Sequence, residues 1–272
     1  MPGRSRGRAR LESRFRGTHA IVTGGSGGIG LAIARRLVEL GGSVTLAARG
    51  REKLEAAAAE LGARTLALDI SDQAAVHEAL PRELAERPAD LLVNCAGIST
   101  VAEFADLTPD QLRHEMDVNY FGAVWVTRAT LPHFRERGRG HVVNVGSTAS
   151  LIGIHGYAAY TPPKFALYGF SEVLRAELRT SGIGVTVVLP TSTRTPMLER
   201  ELEEAPPETR AIISSTRILE PPEVAEAALT AVARGRFEVI PGRDVALSTY
   251  AYRLAPRIGR AVVDREARKG RR

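Results

Sequence analysis

Tyr160 and Lys164 stand four residues apart in the stretch from Ala158 to Gly169. On a helix, that spacing places both side chains on one face. A free phenol ionises near pH ~10 and is a weak acid–base catalyst at neutrality. A cation held beside it favours the phenolate. A phenol tuned in this way can hand a proton to a carbonyl oxygen or remove one from an alcohol. Tyr and Lys are also common on helix surfaces, so the pair takes its meaning from the rest of the chain.

Gly24, Gly28 and Gly30 follow an apolar run at 19–23 and open a helix-periodic segment at 29–40, with Ile33, Leu37 and Leu40 on one stripe. The spacing Gly-x-x-x-Gly-x-Gly permits a tight turn and lets backbone N–H groups approach a pyrophosphate. It differs from the commoner Gly-x-Gly-x-x-Gly fingerprint. A strand before it and a helix after it make a cofactor turn the expected reading, with Thr23, Ser26 and Ile29 beside the glycines.

The second apolar run ends in Ala47-Ala48-Arg49. An acidic residue there would bind a ribose 2′-hydroxyl, and none is present. Arg49 instead offers charge-assisted bonds to a 2′-phosphate, and the Ser26 hydroxyl can add another. NADPH/NADP+ is therefore the expected cofactor; the alternative is an ordinary solvated arginine. Asp69 and Ile70, after the third run, are expected near the adenine, although Asp69 could equally cap a helix. Asn94, Ala96 and Gly97 end the fourth run with small residues that suit a backbone lying against the cofactor. Cys95 has no basic neighbour in sequence and reads as packing.

The elements that must position these groups follow from periodicity. Strands are predicted at 19–23, 43–48, 65–68, 91–94, 140–145, 184–189 and 236–240. Helices are predicted at 29–40, 51–61, 72–86, 109–135, 160–180 and 221–233. Thr108 and Pro109 suit an N-cap and first helical position. Continuous apolar strands alternating with helices indicate an α/β fold. The prediction is a single Rossmann-type doubly wound domain, a seven-stranded mostly parallel sheet with helices on both faces. Pro162 and Pro163 are tolerated only in a first turn, so the Tyr160 helix must begin close to Tyr160. Residues 191–220 are polar and irregular, and are expected to form a mobile substrate loop.

The 272 residues are 44% hydrophobic and 25% charged, as in ordinary soluble domains. One cysteine excludes an internal disulfide and a cysteine-rich metal site, and fits a reducing, cytoplasmic setting. No apolar run approaches the ~18 residues of a membrane span. The net charge of +6 is uneven. Residues 1–17 carry six Arg against Glu12, and residues 253–272 carry eight Lys or Arg against Asp264 and Glu266, which leaves a net −5 for 18–252. Basicity confined to the ends does not imply nucleic-acid binding. It admits peripheral contact with an anionic membrane or simple solvation. The expected division is a disordered basic leader at 1–17, an NADP(H)-binding catalytic domain at 18–244, and a basic amphipathic extension at 245–272. In that extension Leu247, Tyr250, Leu254, Ile258 and Val262 form a stripe beside Arg253, Arg257 and Arg260. Core packing is slightly favoured for it over an interfacial position.

Together Thr23-Gly24-x3-Gly28-x-Gly30, Asp69, Asn94-x-Ala96-Gly97, Asn119, Ser147, Tyr160-x3-Lys164 and the run from Pro190 to Thr195 resemble the short-chain dehydrogenase/reductase family over 18–240. The resemblance implies that Tyr160 is the general acid in ketone reduction. It implies that Lys164 holds the nicotinamide ribose and lowers the Tyr160 pKa, and that Ser147 polarises the substrate carbonyl. Asn119 would hold a water linking Lys164 to solvent; Pro190, Thr193 and Thr195 would meet the cofactor. No metal is implied. Homodimers or homotetramers through the helices at 109–135 and 160–180 are the family's habit. Pro190-Thr191 departs from the family's usual Pro-Gly, and Pro162-Pro163 from its small residues.

Within the family, Tyr160-Thr-Pro-x-Lys164-Phe-Ala-Leu, Pro207-Glu-Thr-Arg210 and Gly235-Arg-Phe237 resemble the 3-ketodihydrosphingosine (3-ketosphinganine) reductase branch. The expectation is NADPH-dependent reduction of a lipophilic ketone resembling 3-ketosphinganine. Another ketone (a 3-ketoacyl thioester, steroid or polyketide) is the second reading, and a non-catalytic NADP(H)-binding regulator the third.

Overall fold

Each central strand buries both faces, which is why its sequence is a continuous apolar run rather than an alternating one. Ala20 and Val22 pack into one core while Ile21 packs into the other, and Leu91, Leu92 and Val93 divide the same way. The computed structural model describes the backbone of residues 2–270 and the side chains of 9–270. Met1, Arg271, Arg272 and the side chains of 2–8, which carry part of the expected basic ends, lie outside the described residues.

Helix α1 (Pro2–Phe15) leads into β1 (His19–Thr23), α2 (Gly28–Glu39), β2 (Ser43–Ala48), α3 (Arg51–Leu61), β3 (Arg64–Ala67), α4 (Gln73–Glu86) and β4 (Leu91–Asn94). The chain continues through α5 (Pro109–Met116), α6 (Gly122–Glu136), β5 (Gly140–Val145), α7 (Thr161–Glu177) and β6 (Ile183–Val188). Then come α8 (Pro196–Glu204), α9 (Pro207–Ser214), α10 (Pro221–Ala233), β7 (Glu238–Val239), α11 (Arg243–Leu254) and α12 (Pro256–Gly270). The seven strands lie in the order β3-β2-β1-β4-β5-β6-β7. Each neighbouring pair is parallel. The order reverses between β1 and β4, and a ligand crevice belongs beyond the carboxyl ends of strands at such a switch point. Thr23 is in register with Asn94, and Asn94 with Asn144, so the two ends that carry the motifs sit side by side.

Several expectations are corrected. The leader is helical, and it is fastened. Leu11 and Phe15, four apart, are 4% and 1% exposed in the core, and Arg10 donates to the Ala233 carbonyl at 3.0 and 3.2 Å. The helix expected at 109–135 is interrupted at 117–121 by a wider π-type turn, in which the Gly122 N–H reaches the Asp117 carbonyl. The irregular loop at 191–220 contains α8 and α9, pinned by a bridge between Thr193 and Leu219. The seventh strand is only two residues long.

The C-terminal extension is two helices broken at Pro256, as proline requires. It lies over α9, and Gly270 approaches the Pro207 carbonyl so closely that a Cβ would stand 2.3 Å from it. Its stripe is not core: Leu247, Leu254, Ile258 and Val262 are 74%, 88%, 68% and 54% exposed. No described helix is long and apolar enough to cross a membrane.

Candidate active site

The glycine turn is shaped by backbone contact. Gly24 has φ +67, and a Cβ on it would lie 2.8 Å from the Ala96 backbone. A Cβ on Gly30 would lie 2.4 Å from the Gly24 carbonyl oxygen. Helix α2 has Gly27 at its N-cap and no side-chain cap. Its first N–H groups and the positive end of its dipole are therefore left for an anion. Behind the turn, Thr23 Oγ1 accepts from the Cys95 and Ala96 N–H groups at 3.1 and 3.2 Å. This joins the ends of β1 and β4.

Tyr160 already has helical backbone angles, and its carbonyl accepts from the Lys164 N–H at 3.4 Å. Pro162 and Pro163 fall in the first turn, where their missing N–H groups leave no helical bond unmade. The two side chains therefore meet. Lys164 Nζ is 5.4 Å from the Tyr160 ring centroid and donates to the Val145 carbonyl at 3.2 Å. Ser147 follows β5 and caps the short turn Thr148–Ser150, with Oγ accepting from Ala149 at 3.1 Å.

Asn119 lies in the π-type turn, a local geometry frequent at functional sites. Its Oδ1 accepts from the Ile98 N–H at 3.0 Å, and its Nδ2 donates to the Ile98 carbonyl at 2.9 Å and to Glu115 Oε2 at 2.5 Å. The Asn119 side chain is thus committed to protein partners. A second buried chain runs from Asn94 Nδ2 to Asn144 Oδ1 at 2.8 Å and from Asn144 Nδ2 to Ser171 at 2.9 Å. It locks β4 and β5 to α7, the helix that carries Lys164.

Burial governs the ionisation of these groups. It raises the Tyr160 phenol, with Glu201 adding to the rise and the nearby Ser147 hydroxyl working against it. Burial also lowers the Lys164 ammonium, opposed by Cys95 and Glu115. The lowering of Tyr160 expected from Lys164 is therefore not seen in the protein alone, where the phenol is raised. Burial pushes the Cys95 thiol up to about 12, which fits its packing role. Burial also lifts the Glu115 carboxyl to about 7, against the bonds from Thr100 and the charge of Lys164.

One cavity of about 1370 Å³ connects these parts. Of the predicted residues, Gly24, Ser26, Gly28, Ile29, Gly30, Ala96, Gly97, Ser147, Tyr160, Lys164, Pro190, Thr193 and Thr195 form its wall. Thr23, Asn94, Ile70 and Asn119 lie behind it, between 1% and 6% exposed, and act by holding the wall in place. Arg49 and Asp69 lie off the wall at the surface and pair with each other at 3.6 Å. Asp69 is held below its usual range: burial opposes this, but two bonds from Ser71 and the charge of Arg49 prevail.

Four residues escaped the sequence reading. Lys53 lines the cavity. Tyr157 and Glu201 line it beside Tyr160, joined by a 2.8 Å bond across 44 residues that no local spacing announces. Glu115 was detectable as a carboxylate one helical turn before Asn119. Outside the cavity, His155 Nε2 pairs with Glu103 at 3.3 Å. Thr209 Oγ1, on α9, donates to the His155 carbonyl at 2.8 Å.

A family model described as short chain dehydrogenase matches residues 18–206. The 3-ketodihydrosphingosine reductase of Bos taurus is 36% identical over 252 residues, which cover 88% of this chain and 76% of that protein. A short-chain dehydrogenase from Streptomyces avermitilis superposes with a TM-score of 0.79 at 29% identity, over 93% of this chain and 97% of that one. A 3-ketoacyl-(acyl-carrier-protein) reductase from Brucella melitensis, solved with NADH, superposes with a TM-score of 0.74 at 29% identity, over 85% of this chain and all of the other.

Proposed function

The chain belongs to the short-chain dehydrogenase family, and on that premise we propose that it reduces the 3-keto group of a long-chain base with NADPH. The carrying observation is that one cavity joins these parts. Its wall joins the glycine turn, the side chains of Ser147, Tyr160 and Lys164, and apolar side chains of α12 such as Ile258, Val262 and Val263. Its volume exceeds the ~300–1,000 Å³ of an ordinary small-ligand pocket, which suits a dinucleotide together with an alkyl ketone. The similarity to the Bos taurus reductase supports the same substrate class.

The glycine cradle fits a nicotinamide dinucleotide. Its backbone admits no Cβ at Gly24 or Gly30, and the open start of α2 offers N–H groups to a pyrophosphate. Preference for NADPH rests on Lys53 and Ser26 in the cavity wall and on Arg49 at the surface just after β2, with no acid at the close of β2. When bound, the coenzyme supplies the hydride. The protein's part is orientation and the proton. The Ser147 hydroxyl donates to the ketone oxygen. The Tyr160 hydroxyl gives its proton to the same oxygen as negative charge develops there. Lys164 holds the ribose and stabilises the phenolate that remains, and Glu115 and Asn119 keep the 98–100 loop in place.

The finer reading of the partners is proposed with it. Leu247, Leu254, Ile258 and Val262, flanked by Arg253, Arg257 and Arg260, suit an anionic membrane surface. Ile258 and Val262 also line the cavity, so its α12 wall would face the lipid that holds the substrate. Phe121, Phe165 and Val173 expose apolar surface on the two helical segments expected to pair copies of the chain.

NADPH oxidation measured against 3-ketosphinganine, a 3-ketoacyl thioester, a steroid ketone and a small ketone tests the substrate. The expected result is the highest kcat/KM with 3-ketosphinganine. A higher value with the acyl thioester would move the assignment to the activity named for the Brucella melitensis neighbour.

A further inference from the structure

Glu201 places a carboxylate where a negative charge is poorly solvated. It projects from α8, is 8% exposed, and lines the same cavity as Ser147 and Tyr160. Tyr157 donates its hydroxyl proton to Glu201 Oε2 at 2.8 Å. The Tyr157 ring lies 5.5 Å from the Tyr160 ring, centroid to centroid, so the carboxylate is one aromatic ring removed from the proposed acid. Among the described residues no cation forms an ion pair with Glu201; Arg200, its neighbour in sequence, acts on it only through space. Buried carboxylates persist where a cation or a full set of donors compensates them. The hydroxyls of Tyr157 and the nearby Ser99 are incomplete compensation without a cation, and the carboxylate lines the substrate cavity.

Resting on the reading that the substrate is a long-chain base, we propose that Glu201 binds the substrate's protonated amino group, carried on the carbon next to the reacting ketone. Ser147 and Tyr160 address the ketone oxygen, and Glu201 takes the neighbouring ammonium. Tyr157 is the positioning residue that fixes the carboxylate. The alkyl chain is left to run toward the apolar side chains of α12. The same contact bears on the chemistry. After burial, the charge of Glu201 is the largest influence holding the Tyr160 phenol up. An ammonium seated on Glu201 cancels that field and makes Tyr160 a readier proton donor. Ketones without an adjacent cation forgo both effects, so one carboxylate separates amino ketones from neutral ketones.

The test compares wild type, Glu201→Gln and Tyr157→Phe at saturating NADPH, with 3-ketosphinganine and its neutral N-acetyl derivative as substrates. Glu201→Gln should raise KM for the free amine at least ~10-fold, the scale of a lost charge-assisted bond. It should leave KM for the N-acetyl ketone within ~2-fold, as expected where no charge is bound. Tyr157→Phe should fall between. Equal changes for both substrates, or none, would overturn the proposal. If wild type turned over neither ketone, the long-chain-base reading would fail separately. Glu201 would then be judged by calorimetric binding of sphinganine and N-acetylsphinganine to the NADP+ complex. Selective weakening of sphinganine by Glu201→Gln supports the ammonium site, and equal affinities refute it. Unfolding curves of the isosteric Gln variant show that the comparison is made on folded protein.

Discussion

Glu115 is fully buried, 0% exposed, and holds Thr100 and Asn119 in place through its two oxygens. Burial lifts its carboxyl from an ordinary 4.5 to about 7. The sign follows from the direction. An acid that binds its proton more tightly in the folded chain contributes stability while protonated. That contribution is complete below about pH 4.5 and is lost as pH rises through 7. The whole interval is worth about 3 kcal/mol, of which about 2 kcal/mol falls between pH 5.5 and 8. Glu115→Gln removes the titration and keeps the shape. The assay is thermal unfolding of wild type and variant at half-unit pH steps, read as the difference between them. In a chain of this size the difference should shift by about 4–8 °C against wild type as pH rises from 5.5 to 8. A difference that stays constant across that range would refute a raised Glu115 carboxyl.

Three further outcomes are expected. Arg49→Asp should raise KM for NADPH by about 10- to 100-fold, from loss of a charge-assisted bond and exposure of the unpaired Asp69, with little change for NADH. Equal effects on both cofactors would remove Arg49 from the 2′-phosphate. The double variant Leu254→Glu/Ile258→Glu should abolish sedimentation with anionic phospholipid vesicles, since each buried apolar side chain contributes about 1.5–3 kcal/mol. Vesicle binding that survives it, or is absent from wild type, contradicts the membrane-facing stripe. Gly30→Ala should abolish NADPH binding measured by nicotinamide fluorescence, because its Cβ would stand 2.4 Å from the Gly24 carbonyl; ordinary binding would show that the turn yields.

The sheet was legible because burial on both faces writes an apolar run directly into the sequence. Ala20, Ile21 and Val22 needed no partner to be identified. The strand at 64–67 shifted by one residue because it is an edge with exposed Arg64 and Thr65, where hydrophobic pattern carries little information. The leader misled because its arginines mask two anchors, Leu11 and Phe15, whose i, i+4 spacing was the only trace of a docked face. The Tyr160–Lys164 face hinged on two prolines, and the tolerance of a first helical turn for proline settles it. Cofactor residues read from the family pattern divide physically. The glycines line the cavity, whereas Thr23, Asn94 and Asn119 hold the wall by hydrogen bonds. Glu201 and Tyr157 were out of reach because their bond exists only after α8 folds over the 151–160 loop. The exposed stripe on α11 and α12 had the periodicity of a core helix, and periodicity alone cannot say which solvent a face meets.

The central claim is that Tyr160 delivers the proton in NADPH-dependent reduction of a long-chain ketone. Its most direct test is steady-state turnover of 3-ketosphinganine by wild type and Tyr160→Phe, with NADPH affinity measured on both. The account predicts unchanged NADPH affinity and kcat lower by about 10²–10⁴-fold, the usual contribution of a general acid. Turnover retained within a few-fold by the phenylalanine variant would contradict it.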